Sequence, residues 1–281
     1  MGFKIARELI CRKLTGQEQL ACDILRDSRT ADEIAGFRES LANPEGLNAI
    51  RDAESQAAAV YWSAWRNLPI LFPAKDLSRV PEHWRIFDTR KSLISGSQRL
   101  AVNPPNAMLN YLYALLESES RLAAATLGLD PGMGVLHVDT SARDSLACDL
   151  MEAVRPQIDR YLLTWILSQP FRREWFFEDR NGNCRLMTSL TARLSETAPT
   201  WGRAVAPVAE WLAQEIWSST RNRTSKTDVL PTRLTQRRKT EGREREFVPA
   251  FVTAPNPERV CCACGAPAPH GWTHTCEREH D

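Results

Sequence analysis

Residues 130–156 read DPGMGVLHVDTSARDSLACDLMEAVRP, and the rest of the chain can be read outward from this stretch. It opens with Asp-Pro-Gly, a strong turn signal, after a segment that is helical in pattern. A short apolar run then leads to His137 and a polar loop. Beyond the loop, Asp144 or Ser145 can cap a helix, and apolar residues recur after it at helical spacing. Those residues are Leu146, Leu150 and Val154.

Two interpretations of this stretch are open. Asp149 and Glu152 lie three residues apart and therefore share one face of the predicted helix. An imidazole in a tight loop, with a carboxylate in the first turns of the next helix, could bind a divalent metal ion. The same residues could instead be a core histidine with satisfied hydrogen bonds and an acid favoured by the helix dipole, which is the commoner arrangement. The stretch alone does not decide between them.

Composition and charge place the chain among ordinary globular proteins. Of its 281 residues, 43% are hydrophobic and 25% are charged, and the formal net charge is +1. No apolar run approaches the roughly 18 to 20 residues that cross a bilayer, which argues against a membrane protein. Charged residues at positions 4, 7, 8, 12 and 13 interrupt any signal-peptide core. We therefore predict a cytoplasmic protein without a membrane partner.

Hydrophobic periodicity predicts a mostly α-helical domain over residues 1–219, interrupted by a loop-rich segment at 69–99. The helix that follows Asn103-Pro104-Pro105 is apolar almost all round, so we expect it to be the buried centre, ended by Gly128. Asn181-Gly182 gives the best hairpin signal of the chain. Helices are predicted at 5–25, 30–41 (capped by Ser28 or Thr30), 47–65, 106–127, 158–167, 187–194 and 201–219.

Glu54 is the unusual residue of the third predicted helix. Helical geometry places it on one face with Ala58, Tyr61 and Trp65, and the small neighbours leave room for a ligand to approach. Alternatively, Glu54 lies at the exposed rim of the apolar stripe and pairs with Arg51, three residues earlier. Helix geometry alone does not choose between these two placements.

The C-terminal fifth of the chain has a different composition. Residues 221–246 contain nine basic and four acidic residues, a net charge of +5, and almost no large apolar residues. We predict a basic flexible linker at 220–258, which is usually solvated but can also follow a phosphate backbone.

The last segment, 259–281, is predicted to be a zinc knuckle. Four of the eight cysteines fall in the final 21 residues, and Cys261-x-x-Cys264-Gly has the spacing of a turn that aims two thiolates at one ion. Cys276 and His280 can complete a Cys3His set, with Cys262, His270 or His274 as substitutes. Such a site would be structural, because four protein ligands leave no open coordination position.

Together these motifs resemble a known family, the CRISPR-associated endonuclease/integrase called Cas-one, which inserts spacers into CRISPR arrays. The resemblance is carried by NPPNAMLNYLYALLESE at 103–119, LGLDPGMGVLH at 127–137 and RDSLACDLMEAVRP at 143–156. AESQAAAVYW at 53–62 resembles the glutamate-containing helix of that family. The match is specific over about residues 5–156 and continues less sharply to about residue 219.

This resemblance implies a mostly helical catalytic domain that acts on DNA. Carried over by motif, the metal ligands are Glu54, His137 and Asp149, which would also be the catalytic residues. Two carboxylates and an imidazole suit Mg²⁺ or Mn²⁺. The family implies DNA as substrate, the protein Cas-two as a partner and a homodimer. Basic residues at Arg85, Arg90, Lys91, Arg99 and Arg143 are plausible phosphate contacts, although solvated surface is the commoner explanation for any one of them.

One departure from the family is expected to matter. Family members carry a small N-terminal β domain, which builds the dimer and helps contact Cas-two, whereas this chain starts in the first helix of the catalytic domain. The departure bears on integration and dimer formation more than on metal binding. The alternatives to an endonuclease/integrase are therefore a non-catalytic DNA-binding protein or a truncated remnant of the family.

Overall fold

The structure is a computed structural model that describes residues 1–90, 100–137 and 144–220. The predicted basic linker lies outside the described residues from position 221 onward. The predicted zinc ligands Cys261, Cys264, Cys276 and His280 lie outside them as well. In the ranges that are described, no helix has both the length and the apolar character that crossing a membrane requires.

Within these ranges the chain is mostly α, as predicted, with eight α-helices and two small antiparallel sheets. A π-helical turn, Ala21–Leu25, extends the first helix, and the short segments Ala74–Arg79, Glu82–Trp84 and Arg173–Trp175 are 3-10 helices. The α-helices are α1 (Gly2–Leu20), α2 (Ser28–Ser40), α3 (Leu47–Ala64), α4 (Pro104–Thr126), α5 (Ser145–Glu152), α6 (Arg155–Ser168), α7 (Thr188–Ser195) and α8 (Ala198–Thr220).

The two sheets contain two strands each. Strands β3 (Phe176–Glu178) and β4 (Cys184–Leu186) pair antiparallel around the turn that contains Gly182, whose φ of 75° is in the left-handed region. The hairpin predicted from Asn181-Gly182 is therefore confirmed. The other pair, β1 (Leu68–Pro69) and β2 (Ile86–Phe87), was not predicted, because two-residue strands carry too short an alternation to register as a pattern.

Helix α4 is the buried centre that its sequence predicts. It packs against α5, α6 and α8. Its start is fixed by the Asn103 side chain, which accepts a hydrogen bond of 3.0 Å from the Asn106 backbone N–H, with two prolines in the first turn. At its other end Gly128 has φ of 72°, the left-handed conformation that ends many helices. Helix α4 is thus a well-defined element against which α5 and α6 pack.

The start of α2 differs from the prediction. Asp27, rather than Ser28 or Thr30, is the capping residue, and its carboxylate accepts from the Thr30 N–H at 3.0 Å and from the Thr30 hydroxyl at 2.8 Å. The physical reason lies one residue earlier. Arg26 adopts a left-handed conformation, with φ of 57°, which ends the π-helical turn and lets the next helix begin sooner.

Helix α1 approaches α6 unusually closely. A Cβ atom added to Gly16 would lie 2.5 Å from the Cβ of Pro156, so only glycine allows this contact. The close approach brings the buried face of α1 against the start of α6 and the end of α5. Lys13 lies on that buried face, one helical turn before Gly16.

Candidate active site

The loop that leads to His137 is built around the carboxylate of Asp149, a fully buried residue of α5. Its Oδ2 accepts hydrogen bonds from the backbone N–H groups of Val135 at 2.5 Å and Leu136 at 2.9 Å. Its Oδ1 accepts from the His137 N–H at 3.0 Å. Both carboxylate oxygens are thus engaged by the loop. Asp149 replaces the backbone partners that an irregular buried segment otherwise lacks.

Asp149 also orients the imidazole of His137. The Nδ1 atom of the ring lies 2.6 Å from Asp149 Oδ1, and the side chain is 33% exposed. A ring nitrogen that faces a carboxylate carries the proton, so Nε2 is the nitrogen whose lone pair points away from the loop. A carboxylate behind the imidazole in this way is typical of metal-binding histidines.

Gly134 allows the loop to come this close to α5. A Cβ at position 134 would lie 2.7 Å from the Cβ of Ser145, 2.9 Å from the His137 carbonyl oxygen and 3.1 Å from Asp149 Oδ2. The first two distances are shorter than real Cβ contacts, so any other residue would push the loop away from the carboxylate. The glycine is therefore part of the geometry that positions His137.

Helix α3 joins the site through Arg51 and Glu54. The Arg51 guanidinium donates to the Leu136 carbonyl, from Nη2 at 2.6 Å and from Nε at 3.2 Å. The alternative placement of Glu54, exposed and paired with Arg51, is therefore wrong. Instead, Glu54 is half-buried and forms an ion pair with Lys13 of α1.

Lys13 is a site residue that the sequence interpretation missed. Its side chain is 6% exposed, and its ammonium contacts Glu54 Oε1 and lies 2.7 Å from Glu152 Oε2. Burial alone would lower the pKa of Lys13, but the charges of Glu152 and Glu54 outweigh it, and the pKa is raised. The signal was present in the sequence, because Lys13 falls between Leu9, Ile10 and Gln17 on the apolar side of α1.

Glu152 is the second residue of this ion-pair cluster; the sequence placed it on one face with Asp149, but it was not predicted to be a ligand. Its side chain is 5% exposed, and Oε1 lies 2.7 Å from Arg155 Nη1. Burial would raise the pKa of Glu152, but the charges of Arg155 and Lys13 lower it to about 2, and His137 contributes in the same direction. Although Lys13 is within ion-pair distance of Oε2, the angle is not that of a hydrogen bond, and this oxygen is buried without a hydrogen-bond partner.

A buried polar network supports the site from behind. The Arg155 guanidinium lies over the ring of Tyr113, 4.9 Å from its centre. Tyr113 and Tyr61 donate their hydroxyls to the two oxygens of Asp159, at 2.5 Å and 3.1 Å. Burial raises the pKa of Asp159 to about 6, against the hydrogen bonds from Tyr113 and Tyr61, which lower it.

The fit of these residues to a divalent ion has two sides. Two carboxylates and an imidazole nitrogen are donors that Mg²⁺ or Mn²⁺ accepts, and Glu152 Oε2 is a buried oxygen without a hydrogen-bond donor. However, Lys13 lies between the acids, and over the described residues no three His, Cys, Asp or Glu side chains converge as metal ligands would. The types of donor group therefore fit a divalent ion, but in this structure the Lys13 ammonium lies between the two carboxylates.

Two of the five proposed phosphate contacts, Arg85 and Arg90, lie among the described residues. Arg85 donates to the carbonyl oxygens of Leu77 at 2.6 Å and Val80 at 3.0 Å, which holds its own loop together. Arg90 is 8% exposed and donates to the side chain of Asn110 at 2.7 Å. The buried Arg90 is therefore not the phosphate contact that was predicted, whereas the role predicted for the half-buried Arg85 stays a prediction. The other three, Lys91, Arg99 and Arg143, lie outside the described residues.

Comparison with known proteins gives consistent sequence matches. The family model described as CRISPR associated protein Cas1, the Cas-one family, matches residues 1–197. CRISPR-associated endonuclease Cas1 1 of Archaeoglobus fulgidus is 36% identical over 232 residues, covering 73% of this chain and 64% of that protein. CRISPR-associated endonuclease Cas1 2 of Rhodospirillum rubrum is 30% identical over 198 residues, covering 66% and 53%. The chain thus spans between half and two-thirds of the length of these relatives.

Solved structures share the fold at lower identity. A casposase bound to integration product has a TM-score of 0.62 at 22% identity, covering 81% of this chain and 68% of that one. A Cas1 protein from Thermotoga maritima has a TM-score of 0.61 at 19% identity, covering 80% and 68%. A partial Cas6-RT-Cas1–Cas2 complex contains a chain with a TM-score of 0.61 at 17% identity, covering 79% and 67%.

Proposed function

The chain belongs to the Cas1 family of CRISPR-associated proteins, and on that premise we propose that it is a metal-dependent DNA endonuclease and integrase of spacer acquisition. The observation that carries the proposal is the oriented imidazole of His137. A buried carboxylate fixes its Nδ1, and the buried acid Glu152 lies on the same helix as that carboxylate, three residues later. This arrangement is costly to build and is typical of a catalytic or metal-binding histidine.

We assign the metal-binding donors to Glu54, His137 Nε2 and Glu152. A bound Mg²⁺ or Mn²⁺ would polarise the scissile phosphate and stabilise charge on the attacking and leaving oxygens. Asp149, which the family pattern predicts as a ligand, has both oxygens engaged by the loop and by His137. We therefore propose that Asp149 acts by positioning His137, and the ligand role predicted for it remains untested.

The remaining residues of the site control charge and solvent access. Arg155 holds Glu152 Oε1 and, with Lys13, lowers the pKa of that carboxyl to about 2, so the group is ionised at neutral pH. Arg51 holds the His137 loop onto α3, close to Glu54. His137 remains half-exposed, which leaves its Nε2 within reach of a reacting group.

The proposal also covers the binding partners and the C-terminal segment 259–281. One fold relative is a casposase bound to integration product and another belongs to a Cas6-RT-Cas1–Cas2 complex, which supports proposing DNA and Cas2 as partners of this chain. We also propose structural Zn²⁺ in the knuckle at 259–281 and a cytoplasmic location. Formation of a homodimer stays a prediction.

The test is a strand-transfer and cleavage assay on branched DNA with Mg²⁺ or Mn²⁺. We expect activity in the unaltered chain and a loss of roughly 10²- to 10⁴-fold in His137→Ala, the range for removing a positioned acid–base group. His83→Ala is the matched control, because His83 is half-exposed and pairs with Glu178 in another part of the protein. Equal activity of the His137 variant and the control would contradict the proposal.

One observation favours a second function, that of a non-catalytic DNA-binding protein. Lys13 and Arg155 together already neutralise Glu54 and Glu152, so the acids are stable without a metal ion. Salt dependence of DNA binding would not separate the two functions, since both lose affinity as salt rises. Metal-dependent turnover separates them, and intact DNA binding without any turnover would support the second function.

A further inference from the structure

Lys13 occupies the position in the site where a cation would be expected. Its ammonium lies between the carboxylates of Glu54 and Glu152, on a nearly buried side chain. We infer that the Lys13 ammonium fills the cation position of this site and that a divalent ion binds only by displacing it. The inference rests on the proposed function and adds to it a residue of this chain that competes with the metal ion.

The two cations exclude one another for reasons of distance and charge. The ammonium lies 2.7 Å from Glu152 Oε2 and contacts Glu54 Oε1 from the same point. A magnesium ion that used these two oxygens would lie about 2.0–2.1 Å from each, in the same gap between the carboxylates. An ammonium and a magnesium ion that both occupied this gap would be very close together, and two positive charges so close in a buried site repel strongly. Simultaneous occupancy is therefore unfavourable.

The contacts also indicate which ion pair gives way. Arg155 holds Glu152 through Oε1, and this pair can persist when Lys13 leaves. The oxygen that Lys13 faces, Oε2, has no hydrogen bond of good geometry, so displacing the ammonium breaks no directional bond there. A departing ammonium would leave Glu54, already 29% exposed, open on the solvent side.

The exchange needs no change in how α1 packs on α6. Gly16 packs directly on Pro156, with no space even for a methyl group, so α1 and α6 are already in close contact beside Lys13. The four-carbon stem of lysine, by contrast, is flexible. Exchange of Lys13 for a metal ion thus requires only a movement of the lysine side chain.

The experiment measures Mn²⁺ binding to the full chain by isothermal titration and by the electron paramagnetic resonance signal of free Mn²⁺. We expect Lys13→Met, which keeps the length of the side chain and removes the charge, to bind one Mn²⁺ more tightly than wild type by roughly tenfold or more. Lys13→Arg keeps the charge and should gain nothing. Lys4→Met is the matched control, since Lys4 is an exposed α1 lysine paired with Glu215.

The gain must also disappear when the proposed ligand is removed. We expect Lys13→Met combined with Glu152→Gln to lose the added affinity, which separates this site from cysteine- or histidine-based binding elsewhere in the chain. Equal or weaker Mn²⁺ binding by Lys13→Met, beside clear binding by wild type, would overturn the inference and leave the proposed function standing. Absence of binding at this site in both proteins would overturn the inference and the metal site together.

A measurement on the wild-type chain covers the case in which Lys13→Met does not fold. Acetylation of lysines by an amine-reactive ester, read by mass spectrometry, reports whether the Lys13 amine is shielded. If Mn²⁺ displaces the ammonium, acetylation of Lys13 should rise with Mn²⁺ while that of Lys4 stays constant. Unchanged acetylation of Lys13 in a chain that binds Mn²⁺ would contradict displacement.

Discussion

The substitution Asp149→Asn tests whether this buried carboxylate positions the active-site loop. An amide has the shape of a carboxylate but only one acceptor oxygen. Placed at the Oδ2 position, that oxygen keeps the hydrogen bonds from Val135 and Leu136, and the amide NH₂ group then faces the His137 N–H. One buried donor loses a charged acceptor, which we expect to cost about 1.5–3 kcal/mol of unfolding free energy.

The same substitution changes the proton on His137. The amide would donate to Nδ1, which now lies 2.6 Å from a carboxylate oxygen, and the imidazole proton would move to Nε2. A protonated Nε2 cannot bind a metal ion. Loss of such a supporting carboxylate typically lowers metal affinity or activity by roughly 10- to 100-fold.

Urea unfolding and Mn²⁺ titration measure the two effects separately. Asp144→Asn is the matched control, because Asp144 begins the same helix, forms no capping hydrogen bond with its side chain and, among the described residues, pairs with the half-exposed Arg121. We expect it to change stability by about 0.5 kcal/mol or less. Wild-type stability in Asp149→Asn would refute the positioning role. If Mn²⁺ binding were abolished at unchanged stability, Asp149 would instead be a ligand, as the family pattern predicts.

Three further predictions follow from the structure and the sequence. Gly134→Ala should destabilise the chain by about 1–3 kcal/mol through overpacking and should reduce activity. In contrast, Gly36→Ala, in open space on α2, should stabilise it by about 0.5–1 kcal/mol in urea unfolding. Because burial raises the folded-state pKa of Asp159 to about 6, the folded chain binds this proton more tightly, so stability should fall by about 3 kcal/mol as pH rises from about 4 to 6. Asp159→Asn should remove that slope, and an unchanged slope would argue against the raised pKa. Metal analysis under reducing conditions should find one zinc per chain, lost when Cys261 and Cys264 are replaced by serine, and a zinc-free wild-type protein would rule out the knuckle.

The sequence predicted the parts of the fold that depend on local pattern. Helix α4 carries its own start signal at Asn103 and its own stop at Gly128, and the turn at Gly182 fixes the β3–β4 hairpin. The π-helical turn after α1 and the cap of α2 were missed, because both depend on the left-handed conformation of Arg26, which is uncommon outside glycine.

The candidate active site also contains residues that the sequence predicted and contacts that it did not. Glu54, His137 and Asp149 were identified by family motif, and the bond between His137 and Asp149 spans only 12 residues. The pairing of Lys13 with Glu152 was missed because it joins α1 to the end of α5, and a long-range pairing of charges leaves no periodic signal. The position of Lys13 on the apolar face of α1 indicated that the lysine is buried, but it did not indicate which acid it pairs with.

The contact between Gly16 and Pro156 also limits which insertions and deletions α1 can tolerate. Lys13 and Gly16 are three residues apart on α1. The helical spacing between them therefore sets the direction of the lysine side chain relative to the point where α1 packs on Pro156. One residue added within that interval would turn the lysine by about 100° around the helix axis while the glycine kept its place. Substitutions on the outer face of α1 leave the active site untouched, whereas insertions and deletions between positions 13 and 16 would uncouple the ammonium from both acids.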